Sequence, residues 1–131
     1  MSRGKLYLMW TLILIMISAC NNMETRTMEV TATAYNSTAS QTHPDHPNLT
    51  AWGDVLIPGM KAIAVSRDLI PLGLDHNAEV RIEGMPGKWR VLDKMNKRWT
   101  KKIDIYMGLD EEAAREWGKK KVTISWKVEA D

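Results

Sequence analysis

Asp93 and Asp104 lie eleven positions apart in residues 91–108, VLDKMNKRWTKKIDIYMG. Each is set in a short apolar run: Val91 and Leu92 lead into Asp93, and Ile103 and Ile105 flank Asp104. A carboxylate in a β-like apolar run loses hydration, which is costly unless it is paired or put to use. Two such groups at short range are the material of general acid–base chemistry, in which one carboxyl gives a proton and another stays charged. Between them stand Lys94, Lys97, Arg98, Lys101 and Lys102, a local positive field that tunes both acids.

The elements that must hold this pair are mostly strands. Apolar alternation and β-branched residues predict strands over residues 28–35 (MEVTATAY), 61–66 (KAIAVS), 79–83 (EVRIE), 88–92 (KWRVL), 102–106 (KIDIY) and 121–128 (KVTISWKV). Residues 36–52, rich in Ser, Thr, His, Pro and Asn, read as a long loop. Ile70-Pro71-Leu72-Gly73 reads as a turn, and residues 84–87 as a tight connection. One helix is expected over residues 110–117. Asp110, Glu111 and Glu112 suit its positive end, Ala113 and Ala114 favour it, and Gly118 stops it. Six short strands with one small helix predict a mainly β, compact barrel.

The N-terminus carries a different message. Arg3 and Lys5 precede the apolar residues 6–17, a run too short to span a membrane comfortably and the right length for a secretory leader. It ends in Ile17-Ser18-Ala19-Cys20, and Cys20 is the only cysteine. An aliphatic residue, two small ones and a cysteine form the pattern that bacterial lipoprotein processing requires, with the Cys20 thiol taking the lipid. Acyl chains contribute about 0.8 kcal/mol per buried CH₂, so several chains on one residue make a stable anchor. The expected layout is a signal peptide over residues 1–19, lipidated Cys20 and a tether over 20–27, and one domain over 28–131. Such a chain is extracytoplasmic and lipid-anchored in the cell envelope. Asn21 after the cysteine is not the Asp of inner-membrane retention, which favours the outer membrane where one exists.

Charge excludes one class of partner. Of 18 basic residues, Arg3 and Lys5 belong to the leader, leaving 16 against 16 acidic residues. A balanced domain is not the basic footprint of a nucleic-acid binder. Phenylalanine is absent, so Trp, Met, Ile, Leu and Val must fill the core, with Trp89, Trp117 and Trp126 the expected core tryptophans. His43, Asp45 and His46 are of metal-ligating type, but their spacing on a Pro-rich loop gives no common face, and no metal or cofactor is expected.

Thr33-Ala34-Tyr35, Leu49-Thr50-Ala51-Trp52-Gly53, Ala62-Ile63-Ala64-Val65, Ile70-Pro71-Leu72-Gly73, Asp93 and Ile103-Asp104-Ile105-Tyr106 occur in the order of the three-aspartate, or 3D, domain. The chain resembles that family over residues 30–126, closing on Glu112, Ala113, Trp117, Gly118, Lys121 and Val122. The resemblance implies a six-stranded double-psi β-barrel and peptidoglycan as the substrate. Active members are lytic transglycosylases, which cleave the MurNAc–GlcNAc bond without water and leave a 1,6-anhydro sugar. By motif position Asp104 matches the acid/base and Asp93 its neighbouring aspartate. Burial and a like-charged neighbour would both raise the pKa of Asp104, as a general acid needs.

The chain departs from the family pattern at two places. The first of the three aspartates is Ser66 here, and Asp68 lies two residues further on. The glycine-rich stretch after the second aspartate is replaced by residues 94–100, KMNKRWT. Tyr35 and Thr50 match positions lining the family's cleft, packing being the alternative role for Tyr35; Ser66, in place of the first aspartate, is also a candidate for binding, and Lys94 and Lys102 flank the aspartates. Trp52 and Trp99 lie in loop-like segments where indoles can stack on sugars, packing being the alternative role for Trp52. The basic run around Lys97 can hold the carboxylates of peptide stems or form a solvated edge. The expectation is a monomeric lytic transglycosylase acting on peptidoglycan glycan strands. A non-catalytic peptidoglycan-binding or envelope-interaction lipoprotein is the alternative.

Overall fold

The computed structural model describes residues 22–38 and 45–130. Cys20, its leader and Asn21 lie outside the described residues, as does His43. Six strands form: β1 (Met23–Tyr35), β2 (Ala62–Val65), β3 (Glu79–Ile82), β4 (Met85–Lys94), β5 (Lys102–Tyr106) and β6 (Lys120–Glu129). A 3₁₀ turn over Arg67–Leu72 joins β2 to β3, and the single α-helix among the described residues, α1 (Glu111–Trp117), joins β5 to β6. The strands close into a barrel in the order β1-β5-β2-β4-β3-β6. Pairs β1/β5 and β2/β4 are parallel, and the other four are antiparallel. The mainly β, six-stranded barrel with one short helix expected from the sequence is met in its strand number, its closure and its single helix among the described residues.

Period-two alternation sends one set of side chains into the barrel. Ile63 and Val65 of β2, Ile103 and Ile105 of β5, and Val122, Ile124 and Trp126 of β6 meet there. Burying each such side chain is worth about 1.5–3 kcal/mol. A smaller second cluster forms outside the barrel wall. There Ala62 and Ala64 of β2, Leu92, Tyr106 and Tyr35 are covered by Leu56 from the loop after β1. Trp89 and Trp126 are core as expected, while Trp117 is half-buried and donates its indole N–H to Ala32 O at 3.3 Å.

Two boundaries differ from expectation. Strand β1 starts at Met23 rather than residue 28, so residues 23–27, expected to be tether, pair with β6 from Met23↔Glu129 to Thr27↔Ser125. Their side chains are largely exposed, so backbone bonding rather than an apolar pattern sets the strand. The link between β3 and β4 is shorter than expected: Ile82 pairs with Met85 across Glu83-Gly84, and Pro86 and Gly87 belong to β4. Helix α1 is capped as its sequence demands, the Asp110 carboxylate accepting from Ala113 N–H at 3.0 Å. The turn after β2 ends at Gly73, whose φ of 105° is open to glycine. A Cβ there would sit 2.6 Å from Val128 Cγ1, so β6 packs directly on this turn.

Candidate active site

Register brings the two aspartates together. Ala64 of β2 is the partner of Asp104 on β5 and of Asp93 on β4, and Thr33 of β1 is the partner of Asp104. A row Thr33–Asp104–Ala64–Asp93 therefore crosses four neighbouring strands on the outward face. Its backbone spacing puts the aspartates two strand widths apart, about 9–10 Å. The position of Asp93 depends on an irregularity. Ile63 pairs with Val91 but Ala64 pairs with Asp93, so Leu92 is an extra residue. Such a bulge turns the following side chain to the other face. In an unbulged ladder Leu92 would face Ala64, and Asp93 would point into the barrel. Ala64, 5% exposed and without a long side chain, forms the floor between the two acids.

The two carboxyls are held differently. Asp93 Oδ1 accepts from Ala51 N–H and Lys94 N–H, both at 2.9 Å. Asp104 Oδ1 accepts from the Thr33 hydroxyl at 3.0 Å. Burial raises the pKa of both acids above the usual carboxylate range. For Asp93 the two backbone N–H bonds oppose the rise, and the charge of Asp54 adds to it. For Asp104 the Thr33 hydroxyl and Lys102 oppose the rise, and the charge of Asp93 adds to it. Asp104 thus has one hydroxyl donor, and Asp93 keeps two backbone donors that favour its charged form.

Tyr35 completes the row from the end of β1. It is 9% exposed, and its hydroxyl is buried with no hydrogen-bond partner among the described residues. Burial, followed by the charges of Asp93 and Asp104, raises its pKa, so the phenol stays neutral and is a donor without an acceptor. Its ring meets Tyr106 at 5.6 Å, whose own hydroxyl is bonded to Ser37 Oγ at 2.8 Å.

One wall of the site is a small hairpin in the loop after β1. Leu49 bridges to Val55, and Gly53 N–H bonds to Thr50 O at 3.1 Å, with Gly53 at a φ of 91° that the turn needs. Its tip presents Ala51 N–H to Asp93. His76, in the segment after the 3₁₀ turn, holds the hairpin from behind. His76 Nε2 bonds to Asp54 Oδ2, and its ring lies 5.0 Å from that of Trp52.

The other expected site residues fall into two groups. Lys94 and Lys102 flank the acids as expected, Lys94 Nζ lying 5.5 Å from the Trp52 ring and Lys102 Nζ 3.7 Å from the Trp99 ring. Trp52 is half-buried against the core and His76, while Trp99 is 37% exposed beside the site. Thr50 and Ser66 are buried, and their hydroxyls accept from backbone N–H groups. Thr50 is 6% exposed and its hydroxyl accepts from Asp54 N–H at 2.9 Å, stitching the hairpin. Ser66 is fully buried, and its hydroxyl accepts from Lys102 N–H at 3.0 Å, joining β2 to β5. Asp68 does not take the place of the missing acid: its carboxylate accepts from Lys101 N–H at 2.9 Å.

Thr33, Ala64, Asp54 and His76 were not singled out by the sequence. Thr33 and Ala64 were within reach, since strand alternation puts Thr33 on the face of Tyr35. His76 and Asp54 are 22 residues apart with no motif between them, and only tertiary structure joins them. Among the described residues no cluster of three metal-ligating side chains occurs. A separate cavity of about 370 Å³ lies between β3 and β6, floored by Val80 and Trp126 and rimmed by Arg81, Lys88 and Lys127, away from the aspartates.

No family model and no curated protein matches the chain. Among solved structures it is similar to the expansin of Clavibacter michiganensis. A mutant of that protein in complex with cellohexaose shows 17% identity and a TM-score of 0.48, over 81% of this chain and 51% of the expansin. The apo form of the same expansin shows 17% identity and a TM-score of 0.46 over the same shares. The chain spans about half the length of these expansins.

Proposed function

We propose that the protein is a peptidoglycan-active lipoprotein that cleaves MurNAc–GlcNAc bonds to 1,6-anhydro products, with Asp104 as general acid and base. The observation that carries this is the row Thr33–Asp104–Ala64–Asp93, which sets two half-buried carboxyls with raised pKa on either side of a small-residue floor. Asp104 protonates the glycosidic oxygen as the bond to the anomeric carbon breaks. The sugar's own C6 hydroxyl then attacks that carbon and returns its proton to Asp104, so no water is consumed. Asp93, whose two N–H donors favour its charged form, faces the positive charge that develops on the ring. The motif resemblance to the three-aspartate domain supports the same chemistry, and Cys20 with its leader supports a lipid anchor in the envelope.

A second reading is a non-catalytic peptidoglycan-binding lipoprotein. It is favoured by Ser66, which is buried where the family pattern has a third acid. Incubating the full chain with purified sacculi and analysing the products by mass spectrometry separates the two. Release of anhydro-muropeptides by the native protein and not by Asp104→Asn supports the first. Retention on sacculi with no release supports the second.

A further inference from the structure

Residues 94–102 link β4 to β5 and cross the end of β2, next to the aspartate row. Met95 N–H bonds to Val65 O at 2.8 Å, and Ser66 N–H to Lys102 O at 2.8 Å. The backbone is tied down at further points: Lys101 N–H to Asp68, Arg98 N–H to Asn96 Oδ1 at 3.1 Å, and Thr31 N–H to Lys101 O at 3.0 Å. On this fixed frame stand Lys94, Lys97, Arg98, Lys101 and Lys102, with no acidic residue among the nine. The ion pairs among the described residues all lie elsewhere, on Arg26, His76, Lys88, Arg90 and Lys121. What the cations have instead is Trp99, with Lys102 Nζ at 3.7 Å and Arg98 Cζ at 4.8 Å from its ring. Asp68 receives the Lys101 backbone N–H and makes no ion pair with its ammonium.

Lys94 and Lys102 face Asp93 and Asp104, while Lys97, Arg98 and Lys101 have no ion-pair partner among the described residues, so the loop keeps an excess of like charge that repels itself. Residues 20–131 carry 16 basic and 16 acidic groups with these five included, so the positive field is local to this loop and the rest of the chain is acidic. A surface that keeps such a cost suits an anion supplied from outside. We infer that the loop over residues 94–102 docks carboxylates carried by the polymer whose sugar backbone lies at the Asp104–Ala64–Asp93 row, so that the substrate is an acid-bearing glycan. This rests on the glycan reading above and goes beyond it in naming the charged substituent and the loop that reads it.

The test measures binding of the full chain in detergent, carrying Asp104→Asn to prevent turnover. The probes are soluble peptidoglycan strands with free stem carboxylates, the same strands with those carboxylates capped as methylamides, chitohexaose, and phosphatidylglycerol vesicles. At low salt the free-carboxylate strands should bind about tenfold tighter than the capped ones, the combined effect of two or three exposed ion pairs. The difference should vanish at about 1 M salt, where charges are screened within about 3 Å. Adding Lys97→Gln and Arg98→Gln should abolish the difference, leave binding of the capped strands unchanged, and keep or raise the melting temperature. Equal binding of free and capped strands overturns the inference while the glycan reading stands. A preference for the vesicles, with no effect of stem charge, assigns the loop to lipid and also overturns it. No binding of any glycan probe removes the glycan reading itself.

Discussion

Replacing His76 by alanine should loosen the hairpin that holds Asp93 without touching the barrel core. His76 makes two contacts with the hairpin, the bond to Asp54 and the ring contact with Trp52 at 5.0 Å. The side chains of the His76–Asp54 pair are 33% and 31% exposed, so solvent limits the pair to about 1 kcal/mol at most. The tilted ring contact adds about 0.5–1.5 kcal/mol. Together about 1–2 kcal/mol of local stability is lost, a factor of roughly 5–30 in hairpin opening. The Ala51 amide, which bonds to Asp93 in the closed hairpin, should then exchange with solvent about tenfold faster. With the hairpin open, Asp93 loses the Ala51 donor that holds its pKa down together with part of the burial that raises it, so its titration should shift from that of the native protein. Amide exchange and carboxyl-carbon NMR titration read the two effects in one sample. His76→Gln, which can bond to Asp54 but cannot stack as the imidazole does, should fall between. Unchanged Ala51 exchange together with an unchanged Asp93 titration would refute the role given to His76.

Two further substitutions separate stability from function. Burial raises the Asp104 pKa in the fold, so its contribution to stability is present at acid pH and is lost as pH rises through the raised value. Asp104→Asn should remove that part of the pH dependence and leave the protein at least as stable at neutral pH, as urea unfolding across a pH series would show; an unchanged slope contradicts it. Tyr35→Phe deletes a buried hydroxyl that has no partner among the described residues, so stability should hold or rise by up to about 1 kcal/mol with glycan release largely unchanged. A loss of stability with release unaffected would mean that the hydroxyl serves the fold.

Some of this architecture was legible in the chain. Strand β5 has the expected bounds because KIDIY alternates cleanly, with Ile103 and Ile105 inward and Asp104 outward. Asp93 was found as a residue but not as a direction, because its orientation depends on the extra residue Leu92, and a bulge leaves no mark in composition. The first five residues of β1 were invisible for another reason: an exposed ribbon paired through its backbone needs no apolar period. Ser66 and Thr50 were expected along the cleft, yet their hydroxyls accept from backbone N–H groups. Only pairing and packing reveal that. The hairpin wall and its tie to His76 rest on contacts distant in sequence, and no local pattern announces them.

The most direct measurement is product analysis of sacculi treated with the full native chain and with Asp104→Asn under identical conditions. Anhydro-muropeptides released by the native protein and absent with the folded variant are the predicted result. Equal release by the two proteins, or products carrying a reducing end formed with water, would contradict the assignment of Asp104 as the acid and base of a water-free cleavage.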